Sequence, residues 1–151
     1  MLPNRRVEAI PMDEVNFVFE TVIRVRSSEV GVGQHMTIEA LIALLSETRA
    51  RFLYSKDVKE IAADYTGLVI DDVSAQFVSR VRAREELLFE VGVYGLHDSG
   101  GDFVFKVSRM FDGSAVAQAA MGFVAYDYRT QQPTKLSPEL VEVLDVKPFV
   151  V

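Results

Sequence analysis

The spacing of apolar residues in this 151-residue chain differs between one segment, at about residues 37–52, and the segments before and after it. Between Thr37 and Phe52 apolar residues recur three and four positions apart, the spacing of one face of an α-helix. Ala40, Ala43 and Leu44 extend the apolar surface nearly all round, so we expect this helix to be packed deep inside the domain. Thr37 is expected to cap the helix, because a threonine hydroxyl can accept a hydrogen bond from a free backbone amide.

On both sides of the helix the apolar residues alternate, which predicts half-buried β-strands. The predicted strands are residues 15–25 before the helix and, after it, segments around 69–77, 89–93, 103–111 and 115–128. We expect the last four to follow one another as hairpins, through a Gly-Gly turn at residues 97–102 and a two-residue Asp112-Gly113 turn. A short second helix is expected over Pro138–Leu144, with Ser137 as its cap.

This order of elements predicts an α+β fold in which one antiparallel sheet wraps around one long central helix. A chain of this length is usually one domain. We therefore expect a single domain over residues 1–151, with its core at about 15–140 and with a short N-terminal arm and a C-terminal helix and tail.

Composition and charge exclude several classes of protein. The chain is 49% apolar and 25% charged, as folded globular proteins are. It has no cysteine for a disulfide, a thiolate metal site or a nucleophile, and its two histidines lack metal-ligand spacing. A net charge of −6 argues against a general affinity for nucleic acid. We expect a soluble cytoplasmic protein, because its apolar stretches are too short for a signal peptide or a membrane span.

Three short segments stand out along the predicted elements. They are EVGVGQHMT at residues 29–37 before the helix, SETR at 46–49 with Phe52-Leu53 on the helix, and VAYD at 124–127 with Pro133 and Leu136 after the last strand. These segments resemble three motifs of the hotdog-fold thioesterases. The first segment resembles their D-x-D-x-x-G-H-V-N-N or D-x-D-x-N-Q-H-V-N-N motif. The second resembles the acid-x-A-R motif followed by F-L, and the third resembles the V-x-x-D motif followed by P-x-x-L. The resemblance is to both the 4-hydroxybenzoyl-CoA and the acyl-carrier-protein types. It implies the hotdog fold, an antiparallel sheet curled around a central helix.

The resemblance also implies hydrolysis of an acyl thioester, with His35 as the matching site residue. The aspartate that serves the family as base or nucleophile falls on Gly31, and the asparagine of the acyl-carrier-protein enzymes falls on Gly33. Neither glycine can do that chemistry. The two asparagines that follow the family's histidine are replaced by Thr37 and Ile38.

In the expected mechanism, the backbone amides of Met36 and Thr37 polarise the thioester carbonyl, because free N–H groups at a helix start favour negative charge. His35 orients or activates water. A carboxylate, Glu47 from the helix or Glu29 from the loop, accepts the proton.

Each candidate has a structural alternative. His35 can be a capping or hydrogen-bonded turn residue, Glu47 can pair with Arg51 four positions later, and Glu29 can be an ordinary exposed loop acid. Ser46 is a neighbouring alternative on the helix. Glu39 is explained by the helix dipole, and His97, in a glycine-rich turn, is expected to be exposed and idle.

Arg80, Arg82 and Arg84 share one parity, so they point the same way if the strand before them continues that far. Three guanidiniums in a row could bind the phosphates of coenzyme A, since arginine matches phosphate geometry. The alternative is a solvated strand end with Glu85 and Glu86 nearby. Two other basic candidates for the phosphates are Lys106 and Arg109.

We therefore expect hydrolysis of an acyl-CoA or acyl-carrier-protein thioester, with coenzyme A as part of the substrate and no other cofactor or metal. The site is expected between subunits of a homo-oligomer, because hotdog domains usually pair their sheets edge to edge. One alternative is a domain that binds an acyl thioester or dimerises without turnover, which Gly31 and Gly33 favour. Another is hydratase or dehydratase chemistry. The acyl group, the carrier, and dimer versus tetramer stay open.

Overall fold

The computed structural model describes residues 6–145; residues 1–5 of the expected N-terminal arm and 146–151 of the expected tail lie outside it. Its main elements are strand β1 (Phe17–Arg24), helix α1 (Ile38–Ser55), strands β2 (Thr66–Phe77), β3 (Glu86–His97), β4 (Gly100–Arg109), β5 (Ala115–Asp127) and β6 (Gln132–Pro133), and helix α2 (Pro138–Leu144). Short 3₁₀ turns lie at Arg6–Ala9, Met12–Glu14 and Ser27–Glu29. In this part of the chain, no helix combines the length and the apolar character that crossing a bilayer requires.

Both helices begin where the sequence predicts, and both caps are confirmed. The Thr37 hydroxyl accepts a hydrogen bond from the Ala40 amide (3.1 Å), and the Ser137 hydroxyl accepts one from the Leu140 amide (3.2 Å). These side chains satisfy backbone donors that the first turn of a helix leaves without intrahelical partners.

The five long strands form one antiparallel sheet in the order β1-β3-β4-β5-β2, with β6 paired to β5. The predicted succession of four hairpin-connected strands is therefore wrong in one place, because β2 pairs with β5 and not with β3. Alternation shows where strands occur but does not say which strands pair. Helix α1 carries the chain from one edge strand to the other. An antiparallel sheet packed around one long helix is the hotdog architecture, as expected.

Helix α1 packs on the concave face of the sheet through one side only. That side carries Leu41, Leu44, Leu45, Thr48, Phe52 and Leu53. The Phe52 ring contacts Phe19 of β1 and Phe103 of β4, with centroids 5.8 and 6.3 Å apart. A buried side chain of this size contributes roughly 1.5–3 kcal/mol. The expectation of a helix enclosed nearly all round is wrong for the single chain, since its other side is exposed at Glu39, Ala43, Glu47, Ala50 and Tyr54.

The β3–β4 connection differs from the predicted Gly-Gly turn. It closes with Asp98 and Ser99, and the two glycines, Gly100 and Gly101, lie inside β4. A Cβ on Gly100 would lie 2.1 Å from the carbonyl oxygen of Phe123 on β5. Glycine is therefore required at position 100 because two strand backbones approach closely there, not because the chain turns.

The β4–β5 connection is a five-residue loop, 110–114, and not the predicted two-residue turn. The Arg109 amide donates to the Ser114 carbonyl (2.9 Å), and the Gly113 amide donates to the Arg109 carbonyl (2.9 Å). Of the predicted turn pair, only Gly113 has a positive φ, 74°. Phe111, which alternation placed on the strand, lies in this loop and is 96% exposed.

We expect Gly100→Ala to destabilise the fold by about 1–3 kcal/mol, because the added methyl must push β4 away from the Phe123 carbonyl. Urea unfolding followed by circular dichroism measures the change. Gly33→Ala is the matched control, since a Cβ there meets nothing within 4 Å. We expect that control to stay within about 0.5 kcal/mol of the wild type. An equal loss in both variants would show that close contact is not the reason.

Candidate active site

Two loops meet where α1 begins. The loop before the helix folds back on itself, since the Gly31 amide donates to the His35 carbonyl (2.9 Å). The Met36 amide then donates to the carbonyl of Val81 (2.7 Å), a fully buried residue in the loop 78–85 that follows β2. The two loops pack against each other at the end of the sheet where β2 ends and β3 begins.

His35 lies in the first of these loops, two residues before the helix cap. Its Nδ1 atom is buried, and no group in residues 6–145 forms a hydrogen bond with it. Among the described side chains it is the only buried nitrogen or oxygen in that condition. A buried polar atom without a partner costs roughly 1–3 kcal/mol, so such atoms are usually met by water or a ligand. The alternative of a hydrogen-bonded turn histidine does not fit this geometry.

The amides predicted to polarise a carbonyl are already engaged. The Met36 amide is bonded to Val81, and the Thr37 amide donates to the Glu29 carbonyl (3.2 Å). A helix leaves its first N–H groups without intrahelical partners. In the described chain the amides of Ile38 and Glu39 have no acceptor, and they stand at the positive end of α1. The available donors therefore lie two residues further along the chain than expected.

A cavity of about 290 Å³ opens where the two loops meet, and Met36, the residue after His35, is part of its lining. It is lined by Met36, Phe77, Val78, Ser79 and Arg80. Its lining combines apolar side chains with a hydroxyl and a guanidinium, a mixture typical of small-molecule sites.

Glu29 is neither an exposed loop acid nor a free base. It is 8% exposed, and its carboxylate accepts hydrogen bonds from the Arg26 amide (2.7 Å) and from the Arg26 guanidinium (3.2 Å). The hydrogen bond between the Arg26 guanidinium and Glu29 and the negative charge of Glu29 raise the pKa of Arg26, and the charge of Glu47 adds to the effect. The two predicted carboxylates therefore lie near one arginine. The Glu29 carboxylate is occupied by its hydrogen bonds to Arg26 in the 3₁₀ turn that precedes the site.

Glu47 forms the predicted alternative contact. Its carboxylate accepts from the Arg51 Nε (3.0 Å) on the exposed side of α1, and Arg51 also donates to the Thr21 hydroxyl (2.7 Å). The Glu47 side chain is 52% exposed, so it stays accessible to a second molecule. Glu39 is also exposed, in the first turn of the helix that His35 precedes.

The strand expected to carry Arg80, Arg82 and Arg84 ends at Phe77, so the shared-parity argument for them is wrong. The three residues lie instead in the loop 78–85, and all three are exposed. Arg84 has a positive φ of 76°. No side chain in the described chain accepts a hydrogen bond from their guanidiniums. The loop, and not a strand face, gathers them at one end of the sheet.

Arg109 does not serve as a free phosphate ligand, because its guanidinium holds this loop together. It donates to the Glu85 carboxylate (2.9 Å), to the hydroxyls of Ser79 (2.9 Å) and Ser114 (3.1 Å), and to the Arg80 carbonyl (2.6 Å). The sequence did not predict this role, because partners such as Glu85 and Ser79 lie 24 and 30 positions from Arg109 along the chain. Lys106 is exposed on β4.

His97 is exposed, as predicted, and its Nδ1 accepts from the Ser99 amide (3.2 Å) in the β3–β4 turn. That turn lies at the opposite end of the sheet from His35. Across residues 6–145 no group of three or more His, Asp or Glu side chains is placed to hold a metal ion.

The architecture and the position of the site define a hotdog domain. In sequence, residues 25–144 match the family described as the thioesterase-like superfamily, and the chain belongs to it. This result confirms the resemblance found in the three sequence segments. No curated protein matches the chain significantly in sequence.

Solved structures share the fold at low sequence identity. The 1,4-dihydroxy-2-naphthoyl-CoA thioesterase Slr0204 from Synechocystis has a TM-score of 0.78 at 12% identity, over 84% of this chain and 95% of that one. YbaW, a probable thioesterase from Escherichia coli, has a TM-score of 0.76 at 24% identity, over 83% and 96%. The hypothetical protein SAV2348 from Staphylococcus aureus, solved in complex with CoA, has a TM-score of 0.77 at 14% identity, over 88% and 87%.

The Glu85 carboxylate makes the stability of the fold depend on pH. Burial raises the pKa of Glu85, but hydrogen bonds from the Arg82 backbone and from Arg109 outweigh burial, so the pKa lies below its ordinary 4.5. The Glu85 carboxylate therefore stabilises the fold fully at pH values above its ordinary pKa, which is that of the unfolded chain. This contribution is lost as the pH falls through the lowered pKa of the folded protein. We expect Glu85→Gln to be less stable than the wild type at neutral pH and to lose less stability on acidification.

Urea unfolding of both proteins at a series of pH values from about 7 to 3 measures this difference. Glu142→Gln, at an exposed position on α2, is the control and should follow the wild-type curve. Parallel curves for the wild type and Glu85→Gln would contradict the role given to this carboxylate.

Proposed function

We propose that this protein hydrolyses an acyl-coenzyme A thioester to a free acid and coenzyme A, at the start of α1. The observation that carries the proposal is the buried, unpartnered Nδ1 of His35, in a member of the thioesterase-like superfamily, with the next residue, Met36, lining a cavity. A bound substrate or water that meets this nitrogen would remove the cost of leaving it unsatisfied. The names of the Synechocystis and S. aureus structures, which refer to a naphthoyl-CoA thioesterase and to bound CoA, support coenzyme A as the carrier.

In the proposed reaction, the oxygen of a water molecule attacks the thioester carbonyl carbon, and a base takes the water proton. His35 orients this water. The carbonyl oxygen gains negative charge, which the free amides of Ile38 and Glu39 stabilise at the positive end of the helix. The carbon–sulfur bond then breaks, the acid is released, and the thiolate of coenzyme A takes up the proton.

The base is a carboxylate on the exposed side of α1. Glu29 is the weaker of the two predicted candidates because Arg26 occupies its carboxylate. Glu47 is accessible but lies more than two turns beyond His35, so it would act on a site completed by another subunit of a homo-oligomer. Glu39, in the first turn, is the acid closest to His35 along the helix. Replacement of each acid by glutamine distinguishes them.

A second function, binding of an acyl thioester without turnover, is favoured by one specific observation. Both predicted bases are ion-paired, and Gly31 and Gly33 stand where the resembling enzymes carry an aspartate and an asparagine.

Carrier-protein thioesters are the alternative substrate. The single-domain organisation, the absence of a cofactor, the cytoplasmic location and the homo-oligomer stay predictions.

We expect His35→Ala to reduce kcat by about 100-fold or more, because His35 orients the attacking water and a misplacement of reacting groups by about 1 Å can cost on the order of 10²-fold. The assay is thiol release from a panel of short, long and aromatic acyl-CoAs. His97→Ala is the matched control, as it removes the other histidine at the far end of the sheet and should leave kcat unchanged. Hydrolysis that persists in His35→Ala would exclude the mechanism. Binding of acyl-CoA by a folded wild type without thiol release would favour the second function.

The glycine at position 31 allows a gain-of-function test. A Cβ there would lie 3.0 Å from the Thr37 Cγ2 methyl, so we pair Gly31→Asp with Thr37→Ser, which removes that methyl and keeps the capping hydroxyl. If turnover is limited by the missing loop acid, kcat should rise on the order of tenfold or more.

Gly33→Asp is the control, because it adds the same charge two positions away in open space. An equal rise in the control would indicate a general charge effect. No rise in the double variant would show that another carboxylate already acts as the base.

A further inference from the structure

The loop between β4 and β5 holds an aromatic ring in solvent. Phe111 is 96% exposed, and its neighbour Met110 is 48% exposed. The loop is nevertheless well fixed: the Met110 amide donates to the Glu86 carbonyl (3.0 Å) and the Gly113 amide to the Arg109 carbonyl (2.9 Å). An ordered loop that presents a phenylalanine to water gains nothing for the fold from that side chain.

Phe111 forms one wall of a cavity of about 380 Å³. The cavity is lined by Arg84, Glu85, Glu86, Arg109, Met110 and Phe111. Its two carboxylates are neutralised within the protein, Glu85 by Arg109 (2.9 Å) and Glu86 by Arg24 (2.7 Å). Arg84 is the one charged group of this lining that has no ion-pair or hydrogen-bond partner among the described side chains. The cavity thus pairs an aromatic ring with an uncompensated guanidinium.

The same short loop connects this cavity to the candidate active site. Arg80 lines the same cavity as Met36, the residue after His35, and Arg84 lines the cavity beside Phe111. Arg82 lies between them in the loop, and its guanidinium is also exposed. An extended molecule that reaches from His35 to Phe111 would pass three guanidiniums, although the chain as a whole carries a net charge of −6.

We propose that the cavity at Phe111 binds the adenosine 3′,5′-bisphosphate end of coenzyme A, with the adenine stacked on the Phe111 ring and the phosphates contacting Arg84 and Arg82. Aromatic rings stack on bases, and guanidiniums bind phosphates in a bidentate manner. This inference rests on the proposed function for the thioester and deepens it, because it selects coenzyme A over a carrier protein. A concave cavity with one ring fits a single planar base, whereas a protein partner requires a broader surface.

The first experiment measures binding of adenosine 3′,5′-bisphosphate by isothermal titration calorimetry, without any thioester. We expect the wild type to bind it and Phe111→Ala to bind it roughly 5- to 100-fold more weakly, the effect of one base–aromatic stack. Phe111→Trp, which keeps an aromatic face, should restore binding. Tyr54→Ala is the matched control, because it removes an 86% exposed aromatic ring from α1. Arg84→Gln should weaken binding, and Arg129→Gln, an exposed arginine beyond the far end of β5, should not.

The second experiment compares kcat/KM for one acyl group carried by coenzyme A and by N-acetylcysteamine, which lacks the nucleotide. Phe111→Ala should lower kcat/KM for the acyl-CoA through KM and leave the N-acetylcysteamine thioester unchanged. Bisphosphate binding that depends on Phe111 in a protein that releases no thiol would support this inference and overturn the proposed hydrolysis. Thiol release with equal kcat/KM for both carriers and no bisphosphate binding would overturn the inference alone.

Two other outcomes would also overturn it. Hydrolysis of an acyl-carrier protein that depends on Phe111, without bisphosphate binding, would assign the surface to a protein partner. A change of oligomeric state in Phe111→Ala, measured by sedimentation equilibrium without loss of bisphosphate binding, would assign it to a second copy of the chain.

Discussion

Burial of one side of α1 against the concave face of the sheet is the interaction on which the other features depend. Phe52 lies between Phe19 and Phe103 and so joins the helix to an edge strand and to a central strand. Because the chain enters the helix from β1 and leaves it toward β2, the two edge strands are fixed on opposite sides of the sheet. The start of the helix is thereby placed at the end of the sheet where the loop after β2 passes. The hydrogen bond from Met36 to Val81 closes that contact.

The charged side chains at this end of the sheet mostly neutralise one another. Glu29 pairs with Arg26, Glu85 with Arg109, and Glu86 with Arg24. The first two pairs are partly buried, and such pairs fix geometry more than they add net stability, since desolvation offsets much of the attraction. These ion pairs also determine which groups stay available for a ligand. In the described part of the chain the available groups include the imidazole of His35, the first two amides of α1 and the three guanidiniums of loop 78–85.

The exposed side of α1 has a consequence for the chemistry. Within residues 6–145 no carboxylate forms a hydrogen bond or an ion pair with His35, and Glu39 and Glu47 lie on the exposed side of the helix. The proposed hydrolysis would then use Glu39 from the first turn or a carboxylate brought by another subunit. At Gly31, where the sequence resemblance puts the family's loop acid, an added Cβ would lie closest to the Thr37 methyl.

The sequence by itself determined the type and order of the main elements and the caps at Thr37 and Ser137. Hydrophobic period and capping chemistry are local, so residues close in the chain are sufficient to reveal them. Only the tertiary structure decided that β2 pairs with β5, that Arg109 clamps loop 78–85, and that the amides of Met36 and Thr37 are occupied. These features depend on contacts between residues far apart in sequence, and spacing along the chain carries no information about them.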